Sequence, residues 1–524
     1  MSAVETARES GSARTVAAID IGSNSIRMVV AQVLPDGKLE MLEQLRQAAR
    51  LGQDTFRRGR LGGQTMRAAV GILRDYRKVI DFYKVEQVRA VATSAVREAS
   101  NSDAFIDRVF MATGFDVEVI DTPEESRLTV SAVRREIADA LGKERANVLI
   151  VDVGGGSTLL TILVRGEIAT SQSVQLGSIR LQESLMTADE PPDRATEILR
   201  HQISNVIAAV QSSLPLNRAQ TYVAVGGDAR FAAGQIGQPT ASPALSSIAR
   251  SNFDKLVRRC ESHTPEELSK IYGMPFADAE TLKAALLVYH ALFQVTRARQ
   301  MLVSQVTMRD GLLLDLALTV TGQEDESISK GVIFSAMAVA EKYRVDVNHS
   351  RNVSDLAVRL FDQLQSEHGL NPRHRLLLRV AGLVHEIGGF VSSRAHHKHS
   401  YYLIANSEIF GLTREEVNIV AHVGRYHRRS CPKPSHVEYM MLPRENRMLV
   451  SKLAALLRVA DALDHTHSQQ IRDLRCERRG DEMVILVPAP ADLTIERREL
   501  ANKGDLFEDI YGLRVRAEES STTT

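Results

Sequence analysis

Tryptophan is absent from this 524-residue chain, and cysteine is scarce. The three cysteines, Cys260, Cys431 and Cys476, are far apart and form no CxxC pair. This excludes a disulfide scaffold or a zinc–thiolate site and fits a reducing compartment. No apolar run approaches the roughly 20 residues needed to span a bilayer, and the N-terminus lacks the apolar core of a signal peptide. We therefore expect a cytoplasmic protein that does not enter a membrane.

An excess of charge of one sign is also missing. The 65 lysines and arginines balance the 65 aspartates and glutamates, so no global field attracts nucleic acid or a membrane surface. A polyanion would have to bind at a local basic patch. Histidine, by contrast, is concentrated: only three of the 15 precede His349, and the other twelve fall between His349 and His467. This clustering indicates a separate C-terminal domain.

Two segments of the N-terminal half share one pattern, AAIDIGSNSIRMVV and LIVDVGGGSTLLTILV. Each predicts a strand, an Asp-x-Gly loop and a return strand, which indicates an internal duplication. Glycines let backbone N–H groups converge on a phosphate, and hydroxyls add donors. The predicted phosphate-binding residues are Gly22, Ser23, Asn24, Ser25, Gly154, Gly155, Gly156, Ser157 and Thr158, with Gly226 and Gly227 in a third loop. Asp20 and Asp152 end the first strands, where carboxylates suit Mg²⁺ or its waters.

Further along the chain, the pattern changes twice. Helical periodicity dominates from about Ser327, and strand-like segments return after about Ile471. We therefore predict four domains, at residues 14–130, 131–325, 326–470 and 471–517. The first two are α/β, the third is helical, and the last is a small α+β domain.

Six motifs together resemble the exopolyphosphatase and guanosine pentaphosphate phosphohydrolase family of the actin-like superfamily. They are DIGSNSIRM at Asp20–Met28, ATSAVREASN at Ala92–Asn101, PEESRL at Pro123–Leu128, DVGGGST at Asp152–Thr158, HEIG at His385–Gly388 and HHKHSYYLI at His396–Ile404. The resemblance covers roughly residues 15 to 515. It implies two actin-like (ribonuclease-H-like) domains, then an all-α HD-like domain and a small C-terminal domain. It also implies a homodimer, and an activity that depends on Mg²⁺ or Mn²⁺.

The resemblance assigns roles to individual residues. Glu125 aligns with the catalytic glutamate that orients or deprotonates the attacking water, and Arg97 with an arginine near the phosphates. Asp20 and Asp152 match metal-associated aspartates of the family, and Asp152 is also expected to be a catalytic residue. One departure is Leu159, where the family commonly has a glutamate, so that one carboxylate associated with the cation is missing. Near Asp278 the family usually has an arginine, which is also missing here.

The C-terminal half carries two further patterns. His349, His385-Glu386 and Asp461 follow the order H…HD…D of HD-type metal phosphohydrolases, with glutamate in place of aspartate, and form a candidate second metal site. In the longer family members this domain is regarded as non-catalytic. Eleven cations between residues 394 and 458 face five glutamates. Their excess predicts a polyanion track, for which the leading candidates are Arg425, Arg428, Arg429 and Lys433.

Three functions remain open from the sequence. The first is an exopolyphosphatase that removes the terminal phosphate of inorganic polyphosphate with the help of a metal ion, which the long basic C-terminal region favours. The second is a guanosine pentaphosphate 5′-phosphohydrolase. The third is a sensor that binds polyphosphate or nucleotide and hydrolyses it weakly because of Leu159. No nucleic acid or membrane partner is expected.

Overall fold

The computed structural model describes residues 13–141, 147–187, 190–321, 326–428, 430–488 and 492–520. The chain divides into two compact units, Met1–Glu326 and Ser327–Thr524. The strands are β1 (Arg14–Ile21), β2 (Ser25–Val33), β3 (Leu39–Ala48), β4 (Gln87–Ala92), β5 (Val117–Val119), β6 (Val148–Val153), β7 (Thr158–Val164), β8 (Glu167–Val174), β9 (Thr221–Val225), β10 (Gln238–Pro239), β11 (Leu245–Ala249), β12 (Gln300–Ser304), β13 (Arg475–Arg479), β14 (Glu482–Pro488) and β15 (Arg514–Ser520).

The helices of the first unit are α1 (Leu51–Arg58), α2 (Gly63–Phe82), α3 (Ser94–Arg97), α4 (Ser102–Thr113), α5 (Thr122–Leu141), α6 (Ser178–Leu185), α7 (Pro192–Gln211), α8 (Gly227–Ile236), α9 (Arg250–Glu261), α10 (Pro265–Tyr272), α11 (Phe276–Gln294) and α12 (Met308–Thr321). Those after it are α13 (Glu326–Lys342), α14 (Val347–Gln363), α15 (Gln365–His368), α16 (Pro372–Val384), α17 (His396–Ala405), α18 (Arg414–Arg425), α19 (Val437–Met440), α20 (Arg444–Leu463), α21 (Thr494–Lys503) and α22 (Asp505–Tyr511).

The two sheets of the first unit repeat one topology. The first sheet has the order β3-β2-β1-β4-β5, with β1 antiparallel to β2 and parallel to β4. The second contains the same series as β8-β7-β6-β9-β12, with the same strand directions, and adds β11 and β10 at one edge. This repetition confirms the predicted fold of two actin-like domains.

The apolar runs of the repeated motifs form the centre of each sheet. Residues 16–19 of β1 and 148–151 of β6 are buried, as expected for strands covered on both faces. The carboxyl ends of both strands open into the glycine loops, which places Asp20 and Asp152 at the edges of the two sheets where those loops begin.

Helix α12 lies within the range predicted for the second domain, but it packs on the first sheet. Met308, Leu312 and Leu316 share a hydrophobic cluster with Val16 and Val29. Sequence periodicity cannot identify which sheet an apolar helix face will cover, because both sheets offer equivalent β-branched surfaces. The chain therefore returns to the first domain before the second unit begins.

The second unit combines helices α14–α20 with the three-stranded sheet β13-β14-β15. The sequence predicted separate domains at 326–470 and 471–517, whereas one hydrophobic cluster joins both ranges, including Leu456 of α20 and Ile485 of β14. A three-stranded sheet is too small to enclose a core of its own, so it shares the core of the helices. In the part of the chain that the structure describes, no helix is long and apolar enough to cross a bilayer.

Capping residues determine where the helices around the histidines begin. Asn371 caps α16 and Thr413 caps α18, each in a reciprocal capping box with the residue three positions on. Helix α16 ends at Val384, immediately before His385, and α17 begins at His396. The histidine side chains are therefore carried at the ends of helices rather than on their middle turns.

Candidate active site

Two glycine loops of the first unit have the same backbone closure. The Gly22 N–H donates to the Ser25 carbonyl at 3.2 Å, and the Gly154 N–H donates to the Ser157 carbonyl at 2.9 Å. Each bond closes the tight turn between an Asp-bearing strand and its return strand. The predicted duplication thus extends to the hydrogen bonds of the loops.

Glycine is required where the two loops approach each other. A Cβ atom on Gly155 would lie 2.9 Å from Ser23 Cβ and 2.9 Å from Ile179 Cδ1. Gly226, in the third loop, adopts φ +124°, where an L side chain would be strained. The backbones of the three loops can therefore come close together around one cavity.

The cavity has a volume of about 490 Å³. Ten of the eleven predicted phosphate-binding residues line it: Gly22, Ser23, Asn24, Ser25, Gly154, Gly155, Gly156, Ser157, Gly226 and Gly227. The prediction for Thr158 is wrong, because its side chain is fully buried on β7 and its hydroxyl donates to the Leu176 carbonyl at 2.9 Å. A side chain on the first residue of the return strand points into the domain and not into the loop.

Glu125 lies in the first turn of α5 and lines the cavity together with Asp20 and Asp152. The pKa of Glu125 is raised to about 7, chiefly by burial; Arg97 opposes the rise, and the neighbouring carboxylates of Asp152 and Asp20 contribute to it. A carboxylate with a pKa near neutrality can accept a proton from water at physiological pH.

The adjacent Glu124 has a different environment. Its carboxylate accepts hydrogen bonds from Arg127 Nε at 2.6 Å and Arg89 Nη2 at 3.0 Å, and both arginines also contact Asp315. Burial works against the charge of Glu124, but Arg127 and Arg89 outweigh it and lower the pKa. Of the two glutamates, only Glu125 is directed at the cavity with a proton affinity suited to catalysis.

Arg97 contacts the glutamate rather than the cavity. Its Nη1 donates to the Ile120 carbonyl at 2.7 Å and lies 3.5 Å from Glu125 Oε2. It is not among the residues that line the cavity. The guanidinium is thus placed to orient Glu125, and the contact with phosphate that the resemblance implies for Arg97 stays a prediction.

Four arginines that the sequence analysis did not identify line the cavity: Arg27, Arg46, Arg230 and Arg309. Arg27 lies opposite Asp20 in the sheet, with Nη1 3.9 Å from Asp20 Oδ2. Within the described ranges, the buried Arg309 Nε and Arg230 Nη1 have no hydrogen-bond partner. Burial, followed by the charge of Arg27, lowers the pKa of Arg230 and of Arg309. An anion in the cavity would relieve both effects.

Only one of these arginines carried a usable signal in the sequence. Arg27 comes two residues after Ser25 on β2, so both side chains lie on the same face of the strand. Arg230 is on α8 and Arg309 is on α12, more than 200 residues away from the first loop. Their approach depends on the return of α12 to the first sheet.

Nearby arginines only partly offset the effect of burial on the charged carboxylates of Asp20 and Asp152. Burial raises the pKa of both, opposed by Arg27 and Arg309 at Asp20 and chiefly by Arg230 at Asp152. Leu159 lies directly opposite Asp152 in the β6–β7 pair, so both side chains lie on one face of the sheet. A glutamate at this position would therefore stand beside Asp152, as the resemblance to the family implies.

Asp278, which stands near the position of a family arginine, is paired with an arginine from the other domain. Arg46 of β3 makes a two-pronged contact with its carboxylate, with Nη1 3.1 Å from Oδ2. Both residues line the cavity. The positive charge expected from α11 is thus supplied from β3.

The four residues of the predicted HD-like site come together in the second unit. His349 Nε2 lies 3.7 Å from Asp461 Oδ1 and 3.9 Å from Glu386 Oε2, and His385 Nε2 lies 3.8 Å from Asp461 Oδ1. Both histidines are fully buried. His349 begins α14, His385 follows α16, and Asp461 lies on α20, so three helices supply the group.

The basic run of the second unit is less exposed than its sequence suggests. Arg458 is fully buried and contacts Asp505 and backbone carbonyls, and Arg425 is 3.2 Å from Glu438 with its guanidinium over the Tyr401 ring. These two arginines are already paired with carboxylates and do not form a free surface. Exposed cations in the run are Arg394, Lys398, Arg414, Lys433 and Arg444. Arg428 is partly buried, and Arg429 lies outside the described residues.

Two family models match this chain. The model described as the Ppx/GppA phosphatase family covers residues 29–320, and Ppx/GppA phosphatase, domain III, covers residues 333–502. A guanosine-5′-triphosphate,3′-diphosphate pyrophosphatase from Vibrio vulnificus is 23% identical over 491 residues, which are 92% of this chain and 93% of that protein. Exopolyphosphatase 2 from Mycobacterium tuberculosis is 29% identical over 318 residues, which are 58% of this chain and 98% of that protein.

A solved structure supports the fold of the first unit. The crystal structure of an exopolyphosphatase from Cytophaga hutchinsonii matches with a TM-score of 0.53 and 22% identity. The match covers 59% of this chain and 99% of that chain. At this level of identity the similarity establishes the fold alone.

Proposed function

Because this chain belongs to the Ppx/GppA phosphatase family, we propose that it hydrolyses the terminal phosphoanhydride bond of inorganic polyphosphate. The observation that carries the proposal is one cavity in which two glycine loops, unpartnered guanidinium groups and the carboxylate of Glu125 converge. The loops and arginines suit a phosphate chain, and the glutamate suits the activation of water.

Binding of the terminal phosphates uses groups that have no other partner. Arg309 Nε and Arg230 Nη1 are buried donors left free within the described part of the chain. Loop N–H groups and the hydroxyls of Ser23 and Ser157 add neutral donors at the same cavity. Charge-assisted bonds from guanidinium to phosphate are stronger than those from neutral donors, so the arginines would dominate affinity.

In the hydrolysis step, Glu125 accepts a proton from a water molecule as the water oxygen bonds to the terminal phosphorus. The bridging P–O bond breaks, and its electron pair leaves with the shortened chain. The products are orthophosphate and a chain with one phosphate fewer. Arg97 holds Glu125 through its 3.5 Å contact and would keep the carboxylate aimed at the water. Arg27, Arg230 and Arg309 would stabilise the negative charge of the transferred group.

Asp20 and Asp152 fit the requirements of a Mg²⁺ or Mn²⁺ site. Both are buried carboxylates at the cavity, and burial raises their pKa values in the metal-free protein. Mg²⁺ usually takes one or two carboxylates and completes its shell with waters and substrate phosphates. When bound, such an ion neutralises phosphate charge. The two aspartates would hold it between the β1 and β6 loops.

Guanosine pentaphosphate is the second candidate substrate. The Vibrio relative named for guanosine-5′-triphosphate,3′-diphosphate matches 92% of this chain, across both units, whereas the exopolyphosphatase relative matches 58%. The weakly hydrolysing sensor remains a third reading because of Leu159. A homodimer and a cytoplasmic location remain predictions from the sequence.

The test compares phosphate release from long-chain polyphosphate and from guanosine pentaphosphate at equal metal concentration. We expect faster release from polyphosphate, and Arg309→Leu should raise KM by about tenfold or more, because one buried charge-assisted contact is lost. Arg250→Leu is a matched control, since Arg250 caps carbonyls of the second domain and does not line the cavity. Faster release from the nucleotide would favour the second candidate, and no release from either would favour the sensor.

A further inference from the structure

The second unit contains a cluster of buried histidines and carboxylates that the proposed hydrolysis does not use. Groups of donor atoms within 4.8 Å of one another include His349, His385 and Asp461, and also Glu386, His396 and His427. The second group adds two histidines that the sequence analysis did not assign to a site. Glu386 also belongs to a group with His349, so one carboxylate is near both sets.

In the first set, the Nε2 atoms of two histidines lie near one carboxylate oxygen of Asp461. The Nδ1–H of His385 donates to the Gly382 carbonyl at 2.7 Å, and that of His349 donates to the Asp464 carboxylate at 2.9 Å. Because those partners can only accept, Nδ1 carries the proton in the neutral form of both rings, and Nε2 then carries the lone pair. Both Nε2 atoms are buried and have no hydrogen-bond partner among the described residues. Each faces Asp461 Oδ1, at 3.7 and 3.8 Å.

With neutral rings, this arrangement leaves electron-rich atoms facing each other without a proton between them. Two ligands at about 2.1 Å from one ion lie about 3.4 Å apart in tetrahedral geometry. The two separations between histidine Nε2 and Asp461 Oδ1, 3.7 and 3.8 Å, exceed that by a few tenths of an ångström. A small inward shift of the side chains would therefore place His349, His385 and Asp461 at bonding distance from a single cation.

The second set has the same construction. His427 is buried, and its Nδ1–H donates to the Gly424 carbonyl at 2.6 Å, which leaves its Nε2 lone pair directed at His396 Nε2, 3.1 Å away. In the metal-free protein, His396 can carry its proton on Nε2, with Nδ1 facing Arg428 Nη1 at 3.4 Å. Binding an ion requires only the other tautomer of His396, whose Nδ1 lies 3.4 Å from the Ser393 carbonyl.

Fixing one ring nitrogen on a carbonyl or carboxylate is how proteins orient metal-binding histidines. His349, His385 and His427 have short contacts of this type on Nδ1 and present Nε2 to the cluster. Two other buried histidines of the unit differ from this pattern: His368 uses both nitrogens, on the Phe361 carbonyl and the Leu370 N–H, and His422 uses neither among the described residues. The contrast within one domain points to ligands.

Lys503 offers an alternative account of Asp461. Its ammonium lies 2.6 Å from Asp461 Oδ2 and could neutralise the buried carboxylate without a metal. However, it contacts the oxygen that faces away from the histidine nitrogens and leaves Oδ1 with the two Nε2 atoms. Lys503 therefore satisfies one half of the carboxylate and does not explain the other half.

We propose that the second unit holds a dinuclear centre of divalent transition-metal ions. His349, His385 and Asp461 would bind one ion, His396 and His427 the other, with Glu386 shared between them. Mixed imidazole and carboxylate ligands suit Mn²⁺, Fe²⁺, Co²⁺ or Zn²⁺ better than Mg²⁺, which prefers oxygen ligands. The Glu386 side chain is 23% exposed, so the shared side of the centre has access for water. Counting metal does not depend on the reaction proposed for the first unit.

The test measures metal content in the full-length protein. Chelator-treated protein is reloaded with Mn²⁺ or Zn²⁺, desalted in excess Mg²⁺ and analysed by mass spectrometry of the metals. We expect about two ions per chain, and the Mn²⁺ form should give the electron paramagnetic resonance spectrum of a spin-coupled pair. His385→Asn should remove about one ion, and Glu386→Gln should abolish the coupling. His422→Asn is the matched control, because His422 is buried in the same unit but belongs to none of the donor groups found in the described ranges.

A parent protein that retains less than about a fifth of an ion per chain would overturn the proposal. So would a content that is unchanged in both His385→Asn and Glu386→Gln. One ion per chain without spin coupling would overturn the dinuclear centre. Circular dichroism establishes that each variant is folded, and if a variant is not, the content and spectrum of the parent decide the question by themselves.

Discussion

Replacement of Glu125 by glutamine is the sharpest test of the proposed mechanism. The amide keeps the shape of the side chain and its place beside Arg97, but it cannot accept a proton. Loss of a general base costs about 10² to 10⁴ in rate, or about 2.7 to 5.5 kcal/mol in activation free energy. We expect kcat to fall within that range while polyphosphate binding changes little, since the arginines that line the cavity remain.

The environment of Glu125 also predicts a pH dependence. Burial raises its pKa to about 7, so the carboxylate is protonated and inactive as a base below that pH. At pH 5 the Glu125 carboxylate would be unprotonated in about 1% of the molecules, so kcat/KM should be about 100-fold lower than at alkaline pH. In Glu125→Gln this acidic limb should disappear from the residual activity, because the group that titrates is gone.

Glu124→Gln is the matched control, one position away on the same helix turn. Glu124 serves an ion-pair network with Arg127 and Arg89, so its loss should destabilise the fold. Removing one partner of a buried pair costs up to about 3 kcal/mol when another carboxylate, here Asp315, remains. We expect a lower Tm and an unchanged pH profile. Turnover of Glu125→Gln within threefold of the parent, measured by phosphate release, would refute the assignment of Glu125.

Three further predictions concern the metal, Leu159 and the basic run. Asp152→Ala should raise the Mg²⁺ concentration needed for half-maximal activity by about tenfold, because one of two carboxylates is lost; an unchanged metal titration would contradict this. Leu159→Glu should lower that concentration, as the new carboxylate would stand opposite Asp152; no change would mean that Leu159 is neutral. Neutralising Arg394, Lys398 and Lys433 together should weaken long-chain polyphosphate binding by about tenfold and flatten its salt dependence, with short chains unaffected. Equal losses on both substrates would indicate a folding defect.

The sequence was informative wherever structure is local. The strand and loop of each glycine motif are coded within a few residues, by a β-branched run followed by small residues, and the loops form with matching hydrogen bonds at Gly22 and Gly154. The same holds for helix starts, as in the capping box at Thr413. Because the motif occurs twice, its repetition was sufficient to predict the duplication, and the resemblance to the family implied the actin-like fold.

Side-chain direction was the first property that the sequence left undecided. Thr158 belongs to the glycine motif by its position, yet it points into the domain. Arg458 and Arg425 count as basic charges, yet they contact internal groups. Charge and motif membership are properties of the chain, whereas exposure depends on which neighbours the fold supplies.

The tertiary structure alone decided which residues meet across long sequence distances. The resemblance to the family singled out Glu125, and the tertiary structure supplies the physical difference: Glu124 is paired with Arg127, whereas Glu125 is left at the cavity with a pKa of about 7. The return of α12 to the first sheet brings Arg309 to the phosphate loops. The ends of α14 and α16 bring together His349 and His385, whose Nε2 atoms have no hydrogen-bond partner among the described residues. The sequence therefore determined the glycine loops, because those depend on local backbone conformation. Packing determined the charges around them, because burial and pairing are set by residues hundreds of positions away.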